Sequence, residues 1–200
     1  CNAGKVLVLP KNWDQRDQLL DRIQHHFKKT PLRKAYYPGA LDRYCAFMEQ
    51  YPNAIVLGEE RENVVPWTIF PDVSPEAGEY ALNVEAFCAV LATTSLDNYT
   101  DAADYLDKAI DFCNDHVWGT LSMTLLIDDK TQKSMKDTFD DAIAKLRYGG
   151  IGVNVWAGVV YGLVTTSWGA FHGHTLDDII SGQGVVHNGL LIDHPEKSVV

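Results

Sequence analysis

Apolar stretches that suit β-strands alternate with amphipathic stretches that suit helices roughly every twenty residues, and this alternation restricts the fold more than any other feature of the chain. Consecutive strands joined through a helix pair in parallel, so the pattern predicts an α/β fold with a mostly parallel, twisted sheet flanked by helices. The predicted strands are Val6–Leu9, Ala54–Leu57, Leu121–Ile127 and Ile151–Trp156, and the predicted helices are Trp13–Lys29, Ala40–Gln50, Thr100–Asp115 and Thr131–Tyr148. Asn12 and Thr100 are the predicted caps of the first and third helices.

The alternation stops at residues 157–189, where glycines stand among aromatic side chains. A connection of this length within a compact domain is usually functional. We therefore predict one catalytic α/β domain over residues 1–189, followed by a C-terminal strand or oligomerisation tail over residues 190–200.

The composition argues against several classes of function. The 200 residues carry a net charge of −10, which is unfavourable for a phosphate backbone, so no nucleic-acid partner is expected. Apolar stretches are far shorter than a bilayer span, so no membrane partner is expected. The four cysteines (Cys1, Cys45, Cys88 and Cys113) are widely spaced, which favours a reduced, cytoplasmic setting over a disulfide scaffold. Cys45 and Cys113 fall on apolar helix stripes and are expected in the core.

The sequence starts with Cys1-Asn2-Ala3-Gly4-Lys5 and passes at once into an apolar strand. Either a longer protein has been cut at this cysteine, or processing has made Cys1 a true N-terminus. In the second case its α-amine serves as a base, as in N-terminal-nucleophile amide hydrolases, although those enzymes have antiparallel sheets between helices. A non-catalytic binding or oligomerisation module is a third interpretation.

Three segments, taken in order, resemble one known family. Cys1-Asn2-Ala3-Gly4-Lys5 is similar to a segment that opens on a catalytic cysteine, and Glu85-Ala86-Phe87 to a Glu-x-Phe motif. Val153-Asn154, with the later Ser167-Trp168-Gly169-Ala170-Phe171, is similar to a Val-Asn strand and its aromatic, glycine-rich loop. Together they resemble the aldehyde dehydrogenase superfamily, as the C-terminal catalytic domain of a divergent member.

The resemblance implies a site. Cys1 would be the nucleophile, since a thiolate adds readily to an aldehyde carbonyl, and the resulting thiohemiacetal would lose hydride to NAD or NADP and leave a thioester for hydrolysis. Glu85 would accept hydrogen bonds from the nicotinamide-ribose hydroxyls, and Phe87 would pack near the nicotinamide. If these two residues lie on a strand, their spacing directs both side chains to one face.

Trp156, Trp168 and Phe171 are the candidate substrate-pocket residues. They either wall an apolar aldehyde pocket or pack an irregular loop. His172-Gly173-His174 presents two imidazoles, but the spacing fixes no third ligand, so no metal is predicted.

The chain also departs from the family pattern. Cys88-Ala89 replaces a Gly-Pro pair, and Val6 replaces an arginine. The family's nucleotide-binding domain, general-base glutamate and oxyanion-hole asparagine would precede Cys1, so this segment alone is expected to be inactive. The family's C-terminal strand crosses to a neighbouring subunit, which implies at least a homodimer in which the tail is paired with another copy or poorly ordered.

Overall fold

The computed structural model describes residues 2–59 and 61–200, which divide into two compact units. The N-terminal unit comprises residues 4–59, 61–100 and 115–118, and the C-terminal unit comprises residues 2–3, 101–114 and 119–200. The main pairings in both units are parallel, so the predicted α/β class with a mostly parallel sheet and flanking helices is confirmed. The predicted domain boundary at residue 189 stays a prediction.

The N-terminal unit is built around a four-stranded sheet. Its elements are β1 (Val6–Pro10), α1 (Arg16–Lys29), α2 (Ala40–Gln50), β2 (Ile55–Leu57), β3 (Trp67–Phe70), α3 (Tyr80–Asn83) and β4 (Val90–Leu96). The strand order is β1-β4-β3-β2, in which β4 pairs in parallel with both β1 and β3, and β2 pairs antiparallel with β3. The parallel neighbour of β1 is thus β4 and not β2, the next strand along the chain, which pairs antiparallel with β3.

Aromatic side chains dominate the core of this unit. Phe47 and Phe70 are buried and stack with ring centroids 5.5 Å apart. Helix α2 has the predicted bounds, and it buries Phe47 whereas Leu41 is exposed. Cys45 is also exposed, so its predicted place in the core is wrong. The buried residues Ala40, Tyr44 and Phe47 follow the i, i+4, i+7 spacing of one helix face, and Cys45 lies outside that face.

Helix α1 begins later than predicted, and Asn12 does not cap it. The N-cap position is Gln15, without a side-chain cap. Lys11 still donates its backbone N–H to Leu96 O (2.9 Å), and the Asn12 N–H bonds to the Tyr99 hydroxyl (3.2 Å). The chain therefore stays alongside Leu96 and Tyr99 as far as residue 12, and the helix starts only at Arg16.

The C-terminal unit contains shorter strands. Its elements are α4 (Ala102–His116), β5 (Ser122–Leu125), α5 (Asp129–Ser134), α6 (Lys136–Lys145), β6 (Gly150–Val153), α7 (Gly158–Gly162), β7 (Trp168–Gly169), β8 (Val185–Val186) and β9 (Ser198–Val199). Strands β5, β6 and β9 form a parallel sheet in that order, and β7 pairs antiparallel with β8. The core of this unit is mainly aliphatic and is made by Leu106, Ile110, Phe139, Ala142, Leu146, Tyr148 and Ile151.

Two helix predictions in this unit need correction. The stretch predicted as one helix from Thr131 to Tyr148 is divided at Met135 into α5 and α6 and ends at Lys145. Asp101, rather than Thr100, caps α4, since its Oδ1 accepts the backbone N–H groups of Ala103 (2.9 Å) and Asp104 (3.0 Å).

The end of the C-terminal tail pairs with a strand of the same chain. Ser198–Val199 pairs in parallel with Gly150–Ile151 of β6, so the expectation that this part would pair with another copy or be poorly ordered is wrong. Leu190 and Leu191 form no strand and are 101% and 81% exposed. Among the described residues, none of the helices is long and apolar enough to cross a membrane.

Candidate functional site

The loop between α3 and β4 carries both predicted cofactor-binding residues. Glu85 and Phe87 are exposed and flank Ala86, which is buried in the core of the N-terminal unit. The condition considered for this pair, that both residues lie on a strand, is not met, because β4 begins only at Val90 and Phe87 has a left-handed φ of 47°. With Ala86 as the buried anchor, the loop places the carboxylate and the ring on its exposed side.

Arg43 and Tyr37 hold this loop in place. The Arg43 Nε donates a hydrogen bond to Ala86 O (2.7 Å), and its Nη1 donates to Pro38 O (3.0 Å). The Phe87 ring meets Tyr37 edge-on at 4.9 Å between centroids. Because a bulky residue at positive φ is retained only where its surroundings fix it, these contacts account for the conformation of Phe87.

Lys5, immediately before β1, joins three segments of the N-terminal unit. Its Nζ donates to Leu82 O (3.0 Å) and Trp118 O (3.3 Å) and lies 5.6 Å from the centroid of the Trp118 ring. Burial lowers the pKa of Lys5 to about 8, and the charge of Glu85 partly opposes that shift. The ammonium group of Lys5 therefore loses its proton far more readily than that of an ordinary lysine.

The predicted Val153-Asn154 motif ends β6 and fastens it to the end of β5. Asn154 has a left-handed φ of 56°. Its Oδ1 accepts the Ile127 N–H (2.8 Å), its Nδ2 donates to Ile127 O (2.9 Å), and its backbone N–H donates to Leu125 O (2.8 Å). The chain direction after β6, which leads to Trp156, is thus set by one asparagine side chain.

Trp156 is the candidate pocket residue that lies near the start of the chain. Its Nε1 donates to Asn2 O (3.1 Å), and its side chain is 60% exposed. The ring lies directly over Gly158, where an added Cβ would come within 2.5 Å of it. Cys1, the predicted nucleophile, lies outside the described residues.

Trp168 and Phe171 have different surroundings from Trp156. Trp168 is buried, contacts Tyr161 at 5.9 Å between ring centroids, and packs so closely on β6 that a Cβ at Gly150 would lie 3.0 Å from its ring. Phe171 is half-buried, with Lys197 Nζ 5.2 Å from its ring centroid. Trp168 therefore packs the loop, which is the second of the two roles considered for these aromatic residues.

A polar recess of about 310 Å³ lies beside Phe171, and it is lined by residues 170–174 and 182–184. Of the three candidate pocket residues, Phe171 lines it and Trp156 and Trp168 do not. His174 is held by a 2.7 Å hydrogen bond between its Nε2 and Thr120 Oγ1. Within residues 2–59 and 61–200, His, Cys, Asp and Glu side chains nowhere form a group of three that could hold a metal ion.

Cys88 and Cys113 are not activated thiols. Burial raises the pKa of Cys88 to about 11 and that of Cys113 to about 12. Both therefore remain protonated at neutral pH, when a thiolate is the form that attacks a carbonyl. Neither residue competes with Cys1 as the candidate nucleophile.

Comparison with known proteins identifies the fold. No protein-family model matches the chain, and no curated protein matches it. The structure is similar to an NADP-dependent glyceraldehyde-3-phosphate dehydrogenase from Bacillus halodurans C-125, complexed with NADP, with a TM-score of 0.72 and 16% identity over 96% of this chain and 38% of that one. For an indole-3-acetaldehyde dehydrogenase from P. syringae, in complex with NAD+ and IAA, the TM-score is 0.69, with 17% identity over 94% of this chain and 37% of that one.

An NAD-dependent aldehyde dehydrogenase from Sinorhizobium meliloti is similar to the same degree, with a TM-score of 0.67 and 17% identity over 92% of this chain and 35% of that chain. The chain therefore has the fold of the aldehyde dehydrogenases, as the sequence resemblance predicted. It spans between 35% and 38% of the length of these three proteins.

Lys5, Arg43, Ala86 and Asn154 make contacts at the site that the sequence did not predict. Lys5 was part of a motif, but its bonds to Leu82 and Trp118 link residues distant in sequence, so spacing gave no signal for them. The same holds for Arg43 and Ala86. For Asn154 a signal existed, since an asparagine at a strand end is enriched at positive φ and bonds readily to nearby backbone.

Proposed function

We propose that this chain is the catalytic-domain segment of a cytoplasmic, NAD(P)-dependent aldehyde dehydrogenase-like enzyme that oxidises a small aldehyde to a carboxylate. The main support for the proposal is the fold, which is similar to that of an NADP-dependent dehydrogenase with a TM-score of 0.72 over 96% of this chain. The order of the Cys1, Glu85 and Asn154 motifs along the chain supports it.

In this proposal Cys1 supplies the nucleophile. Its thiolate adds to the aldehyde carbon to give a thiohemiacetal, and loss of hydride from that carbon leaves a thioester, which water converts to the carboxylate and the free thiol. The Asn2 carbonyl, one residue along, is held by Trp156, which supports a role for Trp156 in shaping the entrance to this region.

The loop at residues 84–89 fits a nicotinamide nucleotide in chemical terms. Glu85 is an exposed carboxylate that can accept two hydroxyl hydrogen bonds, and Phe87 exposes 37% of its surface for packing against a flat ring. When bound, the nicotinamide would supply the hydride acceptor. Glu85 would orient the ribose, and Phe87 would exclude water from one side of the ring.

The remaining parts of the proposal concern substrate and assembly. Phe171 and the polar recess beside it are the proposed substrate end of the pocket, with Trp168 as its packed support. We also infer at least a homodimer, for which the exposed Leu190 and Leu191 offer apolar surface. The parallel sheets are unlike the antiparallel sandwich of N-terminal-nucleophile hydrolases, so the fold favours the dehydrogenase over that alternative.

The test uses the full-length natural protein, NAD or NADP, and a panel of small aldehydes. We expect reduced cofactor to form with the wild type and kcat to fall on the order of 10³-fold in Cys1→Ser, because a hydroxyl is far less ionised than a thiol. Cofactor affinity should stay within about threefold, since a small side-chain change leaves the binding loop intact.

Cys45→Ser is the matched control, as it changes an exposed thiol on α2. Its kinetics should match those of the wild type. Equal activity of Cys1→Ser and wild type would refute the proposed nucleophile. Amide hydrolysis without cofactor, lost in Cys1→Ser, would instead support the N-terminal-nucleophile alternative.

A further inference from the structure

We propose that Lys5 is a positioning residue for the candidate cofactor-binding loop, holding the end of α3 so that Glu85 is presented to the nicotinamide ribose. This inference rests on the proposed function and adds a residue to it. Lys5 itself would touch neither the aldehyde nor the nucleotide.

The ammonium group of Lys5 lies at the C-terminal end of a helix. Helix α3 ends at Asn83, and the carbonyl groups of a last helical turn lack partners within the helix. Lys5 Nζ donates to one of these, Leu82 O, at 3.0 Å, and Trp118 N–H donates to the same oxygen at 2.9 Å. A lysine at a helix C-terminus stabilises such carbonyls through its charge as well as its hydrogen bond.

The chain runs from Leu82 directly into the candidate cofactor-binding loop. Glu85 is three residues beyond Leu82, and Ala86 is then fixed by Arg43 Nε at 2.7 Å. The loop is thus held on both sides of Glu85, by Lys5 before it and by Arg43 after it. The negative charge of the Glu85 carboxylate also acts on the Lys5 ammonium group.

Lys5 is itself anchored to two other segments. Its backbone oxygen accepts the Ala92 N–H at 3.0 Å, which fixes it to β4, and its Nζ bridges to Trp118 O at 3.3 Å. The Trp118 ring lies 5.6 Å from Nζ, within the range of cation–π attraction. Removing the charge would therefore weaken the contacts to the end of α3 and to Trp118 at once.

The charge state of Lys5 gives this role a signature in pH. Burial lowers the pKa of Lys5 to about 8, so its side chain changes from ammonium to neutral amine within a pH range in which the protein can be studied. Glu85 is the charged group acting on it, and the other titratable groups on the adjoining segments are Tyr80, Asp115 and His116. Cys88 in the same loop has a pKa of about 11 and does not change charge near pH 8.

The experiment measures the dissociation constant of NAD for the full-length protein between pH 7 and 9.5, for the wild type, Lys5→Met and Lys5→Arg. We expect Lys5→Met to weaken NAD binding roughly tenfold at pH 7, the change that the loss of one charge-assisted contact would give. Wild-type affinity should fall as the pH passes about 8, while Lys5→Arg should bind well and show no such fall, because arginine keeps its charge.

Two controls isolate the effect. Lys11→Met removes an exposed lysine of the same unit, which bonds to Asp97 at 2.9 Å, and should leave NAD affinity and its pH profile unchanged. His116→Gln should retain the wild-type fall in affinity, whereas loss of the fall in this variant would assign the titration to His116 and overturn the inference.

A second measurement does not depend on the cofactor. We expect the amide hydrogens of residues 82–89, corrected for intrinsic rates, to exchange faster in Lys5→Met than in the wild type. In Lys5→Arg they should exchange at the wild-type rate. In Glu85→Gln, pH-dependent acylation of Lys5 should have its midpoint at lower pH, because Glu85 raises the pKa of Lys5. If Lys5→Met does not fold, Lys5→Arg and Glu85→Gln still test the positioning role of Lys5.

The outcomes separate this inference from the proposed function. If the wild type binds NAD and Lys5→Met has the same affinity, pH profile and loop exchange, Lys5 has no positioning role and the proposed function stands. If the wild type binds neither NAD nor NADP, the proposed function fails, and unchanged loop exchange in Lys5→Met would then reject the role of Lys5 independently.

Discussion

Each of the two units uses a lysine to close the end of a helix, and the two lysines differ in what they hold. In the C-terminal unit Lys197 Nζ donates to Ile143 O (3.2 Å), Ala144 O (2.7 Å) and Leu146 O (2.7 Å) at the end of α6. In the N-terminal unit Lys5 Nζ donates to Leu82 O at the end of α3. Lys197 and Lys5 also lie 5.2 Å and 5.6 Å from the aromatic rings of Phe171 and Trp118, respectively.

The two contacts lead into different parts of the chain. Lys197 leads directly into β9, so its bonds fix a strand at the sheet edge, and it also pairs with Glu196 at 3.0 Å. The helix that Lys5 closes leads into an exposed loop with two candidate cofactor-binding residues. A lysine bound to helix-end carbonyl oxygens therefore stabilises a strand in the C-terminal unit. In the N-terminal unit, on our proposal, it positions the candidate cofactor-binding loop.

The largest effect should come from replacing Lys197. Its side chain is 10% exposed, and Lys197→Met would leave three carbonyl oxygens without their cationic donor. We expect the free energy of unfolding to fall by about 2–3 kcal/mol, the cost of losing a buried charged hydrogen-bond donor. Urea denaturation measures this, with Lys145→Met as the matched control.

The side chain of Lys145, which pairs with Asp107, is 56% exposed, so its loss should destabilise the protein much less than the loss of Lys197. Equal destabilisation by both variants would mean that the carbonyl contacts of Lys197 add nothing beyond a surface charge. The proposed structural role of Lys197, and with it the contrast with Lys5, would then be wrong.

A smaller effect is expected at Asn154, which fixes the direction of the chain after β6. Asn154→Ala removes two hydrogen bonds to Ile127 and places alanine at a φ of 56°, so we expect unfolding to become easier by about 2 kcal/mol. Asn154→Gly separates the two causes, since glycine tolerates positive φ but cannot bond to Ile127. Destabilisation by alanine but not by glycine would assign the whole effect to backbone strain.

The fold could be predicted from the sequence where a periodic apolar pattern extends over a whole element. Helix α2 was predicted with its observed bounds, and β1 and β6 were placed within a few residues. The parallel pairing followed from the alternation of strands and helices, which needs no knowledge of individual contacts.

The prediction failed where a single polar contact decides the local structure. Helix α5 begins before the predicted Thr131 because of Asp128, whose Oδ2 accepts the N–H groups of Lys130 (3.0 Å) and Thr131 (3.0 Å). Glu85 lies in a loop that Arg43, distant in sequence, holds through its hydrogen bond to Ala86 O. Periodicity contains no information about such long-range contacts, and these are the contacts that shape the candidate site.

The smallest effect concerns the pH dependence of stability, and it distinguishes Lys5 from a purely structural clamp. The folded-state pKa of Lys5, about 8, is below the ordinary value of 10.5, so between these values the unfolded chain binds more protons than the folded one. Stability from this residue therefore rises with pH above about 8 and is constant below it, where both states are protonated. Cys88, with its pKa raised to about 11, acts in the opposite direction above about pH 9, because its thiol ionises more readily in the unfolded chain.

Comparing the wild type with Lys5→Met cancels the contribution of Cys88, because both proteins contain it. Between pH 8 and 9 the free energy of unfolding of the wild type should rise, relative to that of Lys5→Met, by about 1 kcal/mol or less. The change is small because Lys5 is partly solvated. Urea denaturation at pH 7, 8 and 9 measures this difference. The same difference at every pH would show that Lys5 keeps an ordinary affinity for its proton, and a fall in NAD affinity near pH 8 would then need another group to explain it.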